Sequence, residues 1–386
     1  MKTPLHSQSS VIGRRRFMAD AVKLSLLTAA GGGLPLAAGA ASPGSRLRQP
    51  ANIEGISRAM HVALRTTDRT DSSLVYLQQI GVESVLGYTY DLPSYEKTGV
   101  VDVEELTAMR KRVEQHGMRL AAIALDQRVL SNLLLGLPGA DDDLDKLCRS
   151  IEAMGRAGVR FLNYSLLVSR AIANRYGHPL PGHQRPAIGR GGVLVLRYDD
   201  EQARQVKEHP AGKVSADEMW SRIRRFTERC VPVADAAGVV LGLHPDDPPV
   251  SEYWGVTQVL NSMKGLDEFL ALAPSACNCL NLCQGTIQEA GIDVLDYIRK
   301  YGPQGKICHV ELRGVKGTIP HYTEDFMDGG DLRVRDVVRA LHAVGYTGPL
   351  EVAHVPRLIE DPKRRVVQAW STGYLRGLLA SLETGA

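Results

Sequence analysis

The sequence predicts a single (β/α)8 barrel of the α/β class. Three observations carry that expectation. Eight short apolar runs alternate with amphipathic stretches, and glycines recur where a helix should stop before the next run. No glycine-rich phosphate turn follows the first run, as a doubly wound open sheet would usually show. The apolar runs are Met60–Leu64, Glu83–Leu86, Leu120–Ala124, Val159–Asn163, Val239–Leu243, Asn278–Cys283, Lys306–Leu312 and Leu350–Ala353. The clearest helical periods cover Val103–His116, Asp141–Ala157, Ala216–Ala237, Val334–Val344 and Arg364–Leu382. Gly81, Gly117, Gly158, Gly238 and Gly345 stand at helix ends, where a left-handed residue closes the last turn.

The bulk composition narrows the function classes. The chain has 386 residues and only 5% aromatics, so its core must come from Val, Leu, Ile and Ala. Its formal charge of +3 is unevenly placed. Residues 1–40 hold Lys2, Arg14, Arg15, Arg16 and Lys23 against Asp20 alone, which leaves the rest close to neutral. That distribution excludes a nucleic-acid surface. The same segment reads as an export signal. Gly13-Arg14-Arg15-Arg16-Phe17-Met18 resembles a twin-arginine motif, a small apolar stretch follows, and Ala38-Gly39-Ala40 offers a cleavage site. The apolar stretch is broken by Lys23, Gly31-Gly32-Gly33 and Pro35, which argues against a stable membrane anchor. The expected organisation is therefore a signal over 1–40, a linker over 41–57 and the barrel over 58–386, with the mature protein periplasmic or secreted.

One segment interrupts the alternation. Residues 165–213 are rich in Gly, Pro, His and Arg and follow the fourth apolar run. Insertions of that length are functional lids or decoration, and this one is read as a lid over the strand ends. Gly189-Arg190-Gly191-Gly192 within it has no role that spacing assigns. Six cysteines, at 148, 230, 277, 279, 283 and 308, are an even number, but so large a domain needs no disulfide framework.

In a (β/α)8 barrel the chemistry sits where the strands end. His244-Pro245-Asp246-Asp247-Pro248-Pro249 follows the fifth run and reads either as a ligand-bearing loop or as a proline-stiffened turn with solvated aspartates. The sixth run ends at Cys283. The seventh carries His309, Glu311 and Arg313 on one face, because alternate strand residues point the same way. The eighth carries Glu351 and Ala353 on one face, with His354 just beyond. Imidazole, thiolate and carboxylate from neighbouring strands make a mixed-ligand site for a divalent metal, with His244, Cys283 and Glu311 as candidate ligands and Glu351 or, equally, His354 as the fourth. Each has a plainer reading: Cys283 as a small buried hydrophobe and His309 as a satisfied core histidine. A carboxylate in an apolar strand is harder to dismiss, since it must be paired or metal-bound.

From about 239 to 378 these segments resemble the mannonate dehydratase family, xylose-isomerase-like TIM barrels that depend on a metal. The His244–Pro249 hexapeptide matches throughout. Leu282-Cys283-Gln284-Gly285-Thr286, Glu311-Leu312-Arg313-Gly314-Val315-Lys316-Gly317-Thr318, Asp328-Gly329-Gly330-Asp331-Leu332 and Leu350-Glu351-Val352-Ala353-His354-Val355-Pro356 are similar to successive segments of the family. The resemblance implies a ligand role for His244 and Cys283 and a counterpart for His354. It also marks departures. The family's ligand histidine on the seventh strand falls on Glu311, its ligand aspartate on the eighth falls on Ala353, and the arginine before that becomes Glu351. A family tyrosine falls near Ala369, beside Trp370. The implied activity is loss of water from an aldonic acid to give a 2-keto-3-deoxy acid, with Mn, Fe or Zn as cofactor. Arg313 is expected to pair with a substrate carboxylate and His354 to move the proton. A metal-dependent sugar isomerase or epimerase is the alternative within enzymes, and a non-catalytic exported sugar-binding barrel is the alternative outside them. All three take a small sugar acid or sugar as partner, and a homo-oligomer is compatible with each.

Overall fold

The computed structural model describes residues 59–167, 183–205 and 212–383. The signal expected over 1–40 and the linker expected over 41–57 lie outside the described residues. No helix among the described residues is long and apolar enough to cross a membrane.

Eight parallel strands close a barrel. In chain order they are β1 (His61–Arg65), β2 (Ser84–Tyr88), β3 (Arg119–Ala124), β4 (Phe161–Ser165), β7 (Val240–His244), β10 (Asn278–Cys283), β11 (Ile307–Leu312) and β14 (Pro349–Val352). Each neighbours the next, and β14 closes on β1. All eight were foreseen, with ends shifted by at most two residues. The shift matters at β1, which runs on to Arg65. An apolar run stops at Leu64, whereas the ladder continues to a polar residue at the barrel mouth. The main core lies between strands and helices, with Leu64, Val85, Ile123, Leu162, Leu241, Leu280, Val310 and Leu350 facing outward onto it. Ala63, Leu86 and Ala122, with Phe161 against them, fill part of the interior.

The register fixes what meets what. Cys283 pairs with Glu311, Glu311 with Glu351 and Glu351 with Ala63, so these four positions form one level across adjacent strands. Arg65 stands two residues above Ala63 on the same face.

The long helix Ala216–Ala237 begins with a capping box between Ser215 and Glu218 and ends at Gly238, whose φ of 62° closes the last turn. It packs on the helix Ala140–Arg156, as both amphipathic patterns require. Three helices of eight to ten residues were not singled out from the sequence, Asp71–Gln79, Met263–Leu272 and Val294–Tyr301, nor were the shorter Tyr95–Thr98, Ser131–Leu135, Asp200–Arg204 and Gln284–Glu289. Each offers fewer than three turns of periodicity.

A second sheet stands beside the mouth. The hairpin β12 (Gly314–Thr318) and β13 (His321–Asp325) follows the seventh barrel strand. It pairs with a hairpin from the insertion, β5 (His183–Ile188) and β6 (Leu194–Asp199), in the order β12-β13-β6-β5. Tyr322 and Tyr198 are register partners and their rings stack 5.1 Å apart. Leu194 also bridges to Arg357, just beyond the eighth strand. The Gly189–Gly192 stretch is the turn of the inserted hairpin. Gly191 and Gly192 take positive φ there, and Arg190 lies over the Phe326 ring and 3.0 Å from Asp328.

Helix contact is tightest at Gly155, where an added Cβ would stand 2.6 Å from the carbonyl oxygen of Ala237. Gly155→Val should therefore push the two helices apart and cost about 1–3 kcal/mol, as overpacking does. Urea unfolding should show a lower midpoint with an unchanged slope; an unaltered midpoint would mean that the helices yield freely.

Candidate active site

His244 ends β7, half-buried in the mouth. Its Nδ1–H donates to the Pro245 carbonyl at 2.7 Å, which leaves Nε2 as the acceptor, 3.9 Å from Glu311 Oε2. The Asp246 beside it is buried and pinned to Leu260, whose N–H donates to Oδ2 at 2.7 Å. Burial pushes its carboxyl up to about 7. The hexapeptide is thus a rigid loop that offers its histidine; the expectation of solvated aspartates fails, because Asp246 and Asp247 are both buried.

Cys283 ends β10 and is fully buried. The Thr286 hydroxyl donates to its sulfur at 3.2 Å, and burial pushes the thiol up to about 12. Glu311 is the third member. Its Oε1 accepts from Asn281 at 2.7 Å and from Arg65 at 3.2 Å, so Oε2 is the oxygen turned toward His244. Burial disfavours its charge, but Arg65, His244 and His309 together hold the carboxyl well below the usual carboxylate range. One ligand atom from each of His244, Cys283 and Glu311 lies within 4.8 Å of the other two. Ligands bound at 2.0–2.3 Å around a tetrahedral ion stand roughly 3.3–3.8 Å apart, so a small contraction would bring these three onto one divalent metal. Nitrogen, sulfur and oxygen donors with an open fourth position fit such an ion.

Glu351 lies outside that triplet. Arg65 grips it side-on, Nε to Oε1 and Nη2 to Oε2, each at 2.8 Å. His309 Nε2 lies 2.8 Å from Oε2. A buried Glu351 that is not a ligand was expected to hold a cation, and Arg65 is that cation. Burial opposes its ionisation, and the guanidinium beside it prevails, keeping the carboxyl below its ordinary value. His309, Glu311 and Glu351 also fall within 4.8 Å of one another, but there the positive charge is supplied by Arg65.

His354 sits just past β14 with φ of 45°, a left-handed backbone uncommon outside glycine. Its Nδ1 lies 2.5 Å from Glu324 Oε1 and 3.0 Å from Arg313 Nη1. The role expected for Arg313 is corrected here. Its side chain is 1% exposed, and Nη2 donates to both oxygens of Glu289 and to the Thr286 hydroxyl. A guanidinium so enclosed is not available to a substrate carboxylate. Alternation on β11 pointed Arg313 to the right face, but the residue lies beyond the strand end, where the chain turns into β12.

These groups open on a cavity of about 680 Å³, with Arg65, Tyr88, His244, Glu311, His354 and Arg357 in its wall. Sequence reasoning missed Arg65, Tyr88, Glu324 and Arg357. Only Arg65 left a signal, as the polar residue after an apolar run.

Arg65→Met should leave Glu311 and Glu351 buried without their cation and cost about 3–5 kcal/mol. Arg65→Met with Glu351→Gln should recover much of that loss in chemical denaturation. If the double variant were no more stable than the single one, the Arg65–Glu351 pair would not be the source of the effect.

Comparison with known proteins agrees with this geometry. Residues 198–386 match the D-mannonate dehydratase (UxuA) family. Mannonate dehydratase 2 of Halalkalibacterium halodurans is 26% identical over 329 residues, covering 79% of this chain and 93% of that protein. The mannonate dehydratase of Thermotoga neapolitana is 27% identical over 323 residues, covering 76% and 88%. Among solved structures, the mannonate dehydratase of Streptococcus suis serotype 2 superposes with a TM-score of 0.71 at 20% identity, covering 85% of this chain and 96% of its own. An L-ribulose 3-epimerase superposes at 0.56 with 16% identity, covering 84% and 96%, which extends the likeness of fold to the xylose-isomerase-like barrels at large. The chain is thus similar to the mannonate dehydratases, through residues 198–386 and through relatives of 26–27% identity, and its fold is that of the xylose-isomerase-like barrels.

Proposed function

We propose that this chain is a metal-dependent carbon–oxygen lyase that removes water from a sugar acid, giving a 2-keto-3-deoxy acid. The observation that carries the reading is the convergence of His244, Cys283 and Glu311, beside a cavity whose wall includes His244, Glu311 and His354. His244 Nε2, Cys283 Sγ and Glu311 Oε2 would hold the metal, with Mn, Fe or Zn each compatible with that donor set. When bound, a divalent ion polarises substrate oxygens and stabilises an enolate beside a carboxylate.

The remaining work falls to the chain's own groups. His354 is placed to take the proton from the carbon next to the carboxylate and to return one to the departing hydroxyl. The substrate carboxylate needs a cation. Arg65 is committed to Glu311 and Glu351, and Arg313 is enclosed, so Arg357 in the cavity wall is the guanidinium placed for it. Glu351 serves as the fixed counter-charge of Arg65 and Ala353 as a gap, so the fourth metal position is left to water or substrate. We further propose twin-arginine export, on the strength of Arg14-Arg15 and Ala38-Gly39-Ala40.

Mannonate is the first substrate to try, from the names of the relatives. With added Mn, Fe or Zn, the product should be the 2-keto-3-deoxy acid, and a chelator should abolish its formation. His354→Ala should lower kcat by about 100-fold or more. Epimerised or isomerised sugars without dehydration would replace this reading by the isomerase one. Binding without turnover across aldonic acids and ketoses would replace it by a sugar-binding barrel.

A further inference from the structure

We infer that Glu324, a residue of the accessory sheet and not of the barrel, is the positioning residue that keeps His354 in its proton-accepting form. The inference rests on the reading of His354 as the proton carrier.

The argument starts from one nitrogen with two rival neighbours. Glu324 Oε1 stands 2.5 Å from His354 Nδ1, and Arg313 Nη1 stands 3.0 Å from the same atom. A guanidinium only donates and a carboxylate only accepts. The neutral ring therefore satisfies one of them at a time. With hydrogen on Nδ1, the ring donates to Glu324 and leaves the Nε2 lone pair free. With hydrogen on Nε2, Nδ1 accepts from Arg313 and the ring has no base to offer through its other nitrogen. The shorter contact is the one to Glu324, and a lone pair facing a carboxylate oxygen at that distance would be repulsive. Glu324 therefore sets the tautomer, as the third member of a nucleophile–base–orienter arrangement does.

Several features hold Glu324 to this task. It is buried, with 4% of its surface exposed, and its register partner on β12 is Val315. Its strand β13 is clamped on the other edge by β6 of the insertion, with the Tyr198–Tyr322 stack two residues away. Arg313 is drawn back by Glu289, both of whose oxygens accept from Nη2, and its Nε lies 3.8 Å from Glu324 Oε1. The insertion thus contributes to chemistry at a distance: it fixes the strand that fixes the carboxylate that fixes the ring.

The test reads the ring directly and needs neither metal nor substrate. The intact protein, labelled with 15N in its histidines, is compared by long-range proton–nitrogen correlation NMR with Glu324→Gln, Glu324→Leu and Glu324→Asp, and His354→Gln assigns the signal. The wild type should show the Nδ1–H tautomer at His354. Glu324→Leu should convert it to Nε2–H, and Glu324→Asp, which keeps the carboxylate, should restore Nδ1–H at least in part. In turnover, Glu324→Gln should lower kcat about 100-fold or more while KM changes less than about threefold. An Nε2–H tautomer in the wild type would overturn the inference. So would an unchanged tautomer in a Glu324→Leu protein whose circular dichroism matches the wild type. If the tautomer behaves as described and no sugar acid is dehydrated, the lyase reading fails and the positioning role of Glu324 stands.

Discussion

The mouth of this barrel is organised by the pairing of Arg65 with two carboxylates, Glu311 and Glu351. The three come from neighbouring strands β1, β14 and β11, whose register sets Glu311, Glu351 and Ala63 on one level and Arg65 one step above. Isolated, each carboxylate would be too costly to bury. Together with Arg65 they carry one net negative charge, and that excess faces His244 and Cys283. Arg65 divides labour between two otherwise similar glutamates. It saturates Glu351 with two 2.8 Å bonds and touches Glu311 with one of 3.2 Å, which leaves Glu311 an oxygen for another cation.

The carboxylate at 351 beside the arginine at 65 makes an internal ion pair, Ala353 offers no donor, and the carboxylate at 311 supplies negative charge of the kind a metal centre needs. A second charge network, Glu289–Arg313–Glu324–His354, stands next to the first and is joined to Cys283 through the Thr286 hydroxyl, which accepts from Arg313 and donates to the sulfur. One network is placed to hold a metal and the other to prepare a base, and the accessory sheet belongs to the second.

Much of the fold was legible because its signals are local. Fully buried parallel strands are short apolar runs, and glycines after helices mark where left-handed closure is needed, so eight strands and five helices could be read directly. Asp71–Gln79, Met263–Leu272 and Val294–Tyr301 gave too little period, whereas Val334–Ala343, of similar length, could be read. His244, Cys283 and Glu311 were legible because strand ends converge on one mouth and because an acidic residue inside an apolar strand demands a partner. What the sequence concealed was which partner. The ion pair of Glu351 spans 286 residues to Arg65, and the bond of His354 spans 30 residues to a hairpin whose outer edge pairs with the insertion. Arg313 was misread for the same reason: alternation gives a face, whereas enclosure depends on Glu289 and Thr286 from the preceding strand–helix unit.

The central claim is that Cys283 is a metal ligand and Glu351 is not. The most direct measurement is the thiolate-to-metal charge-transfer absorption of the cobalt(II)-loaded protein, taken for the wild type, Cys283→Ser and Glu351→Gln. The account predicts the band in the wild type, its loss in Cys283→Ser and its retention in Glu351→Gln. A cobalt-loaded wild type without the band, or its loss in a folded Glu351→Gln protein, would contradict it.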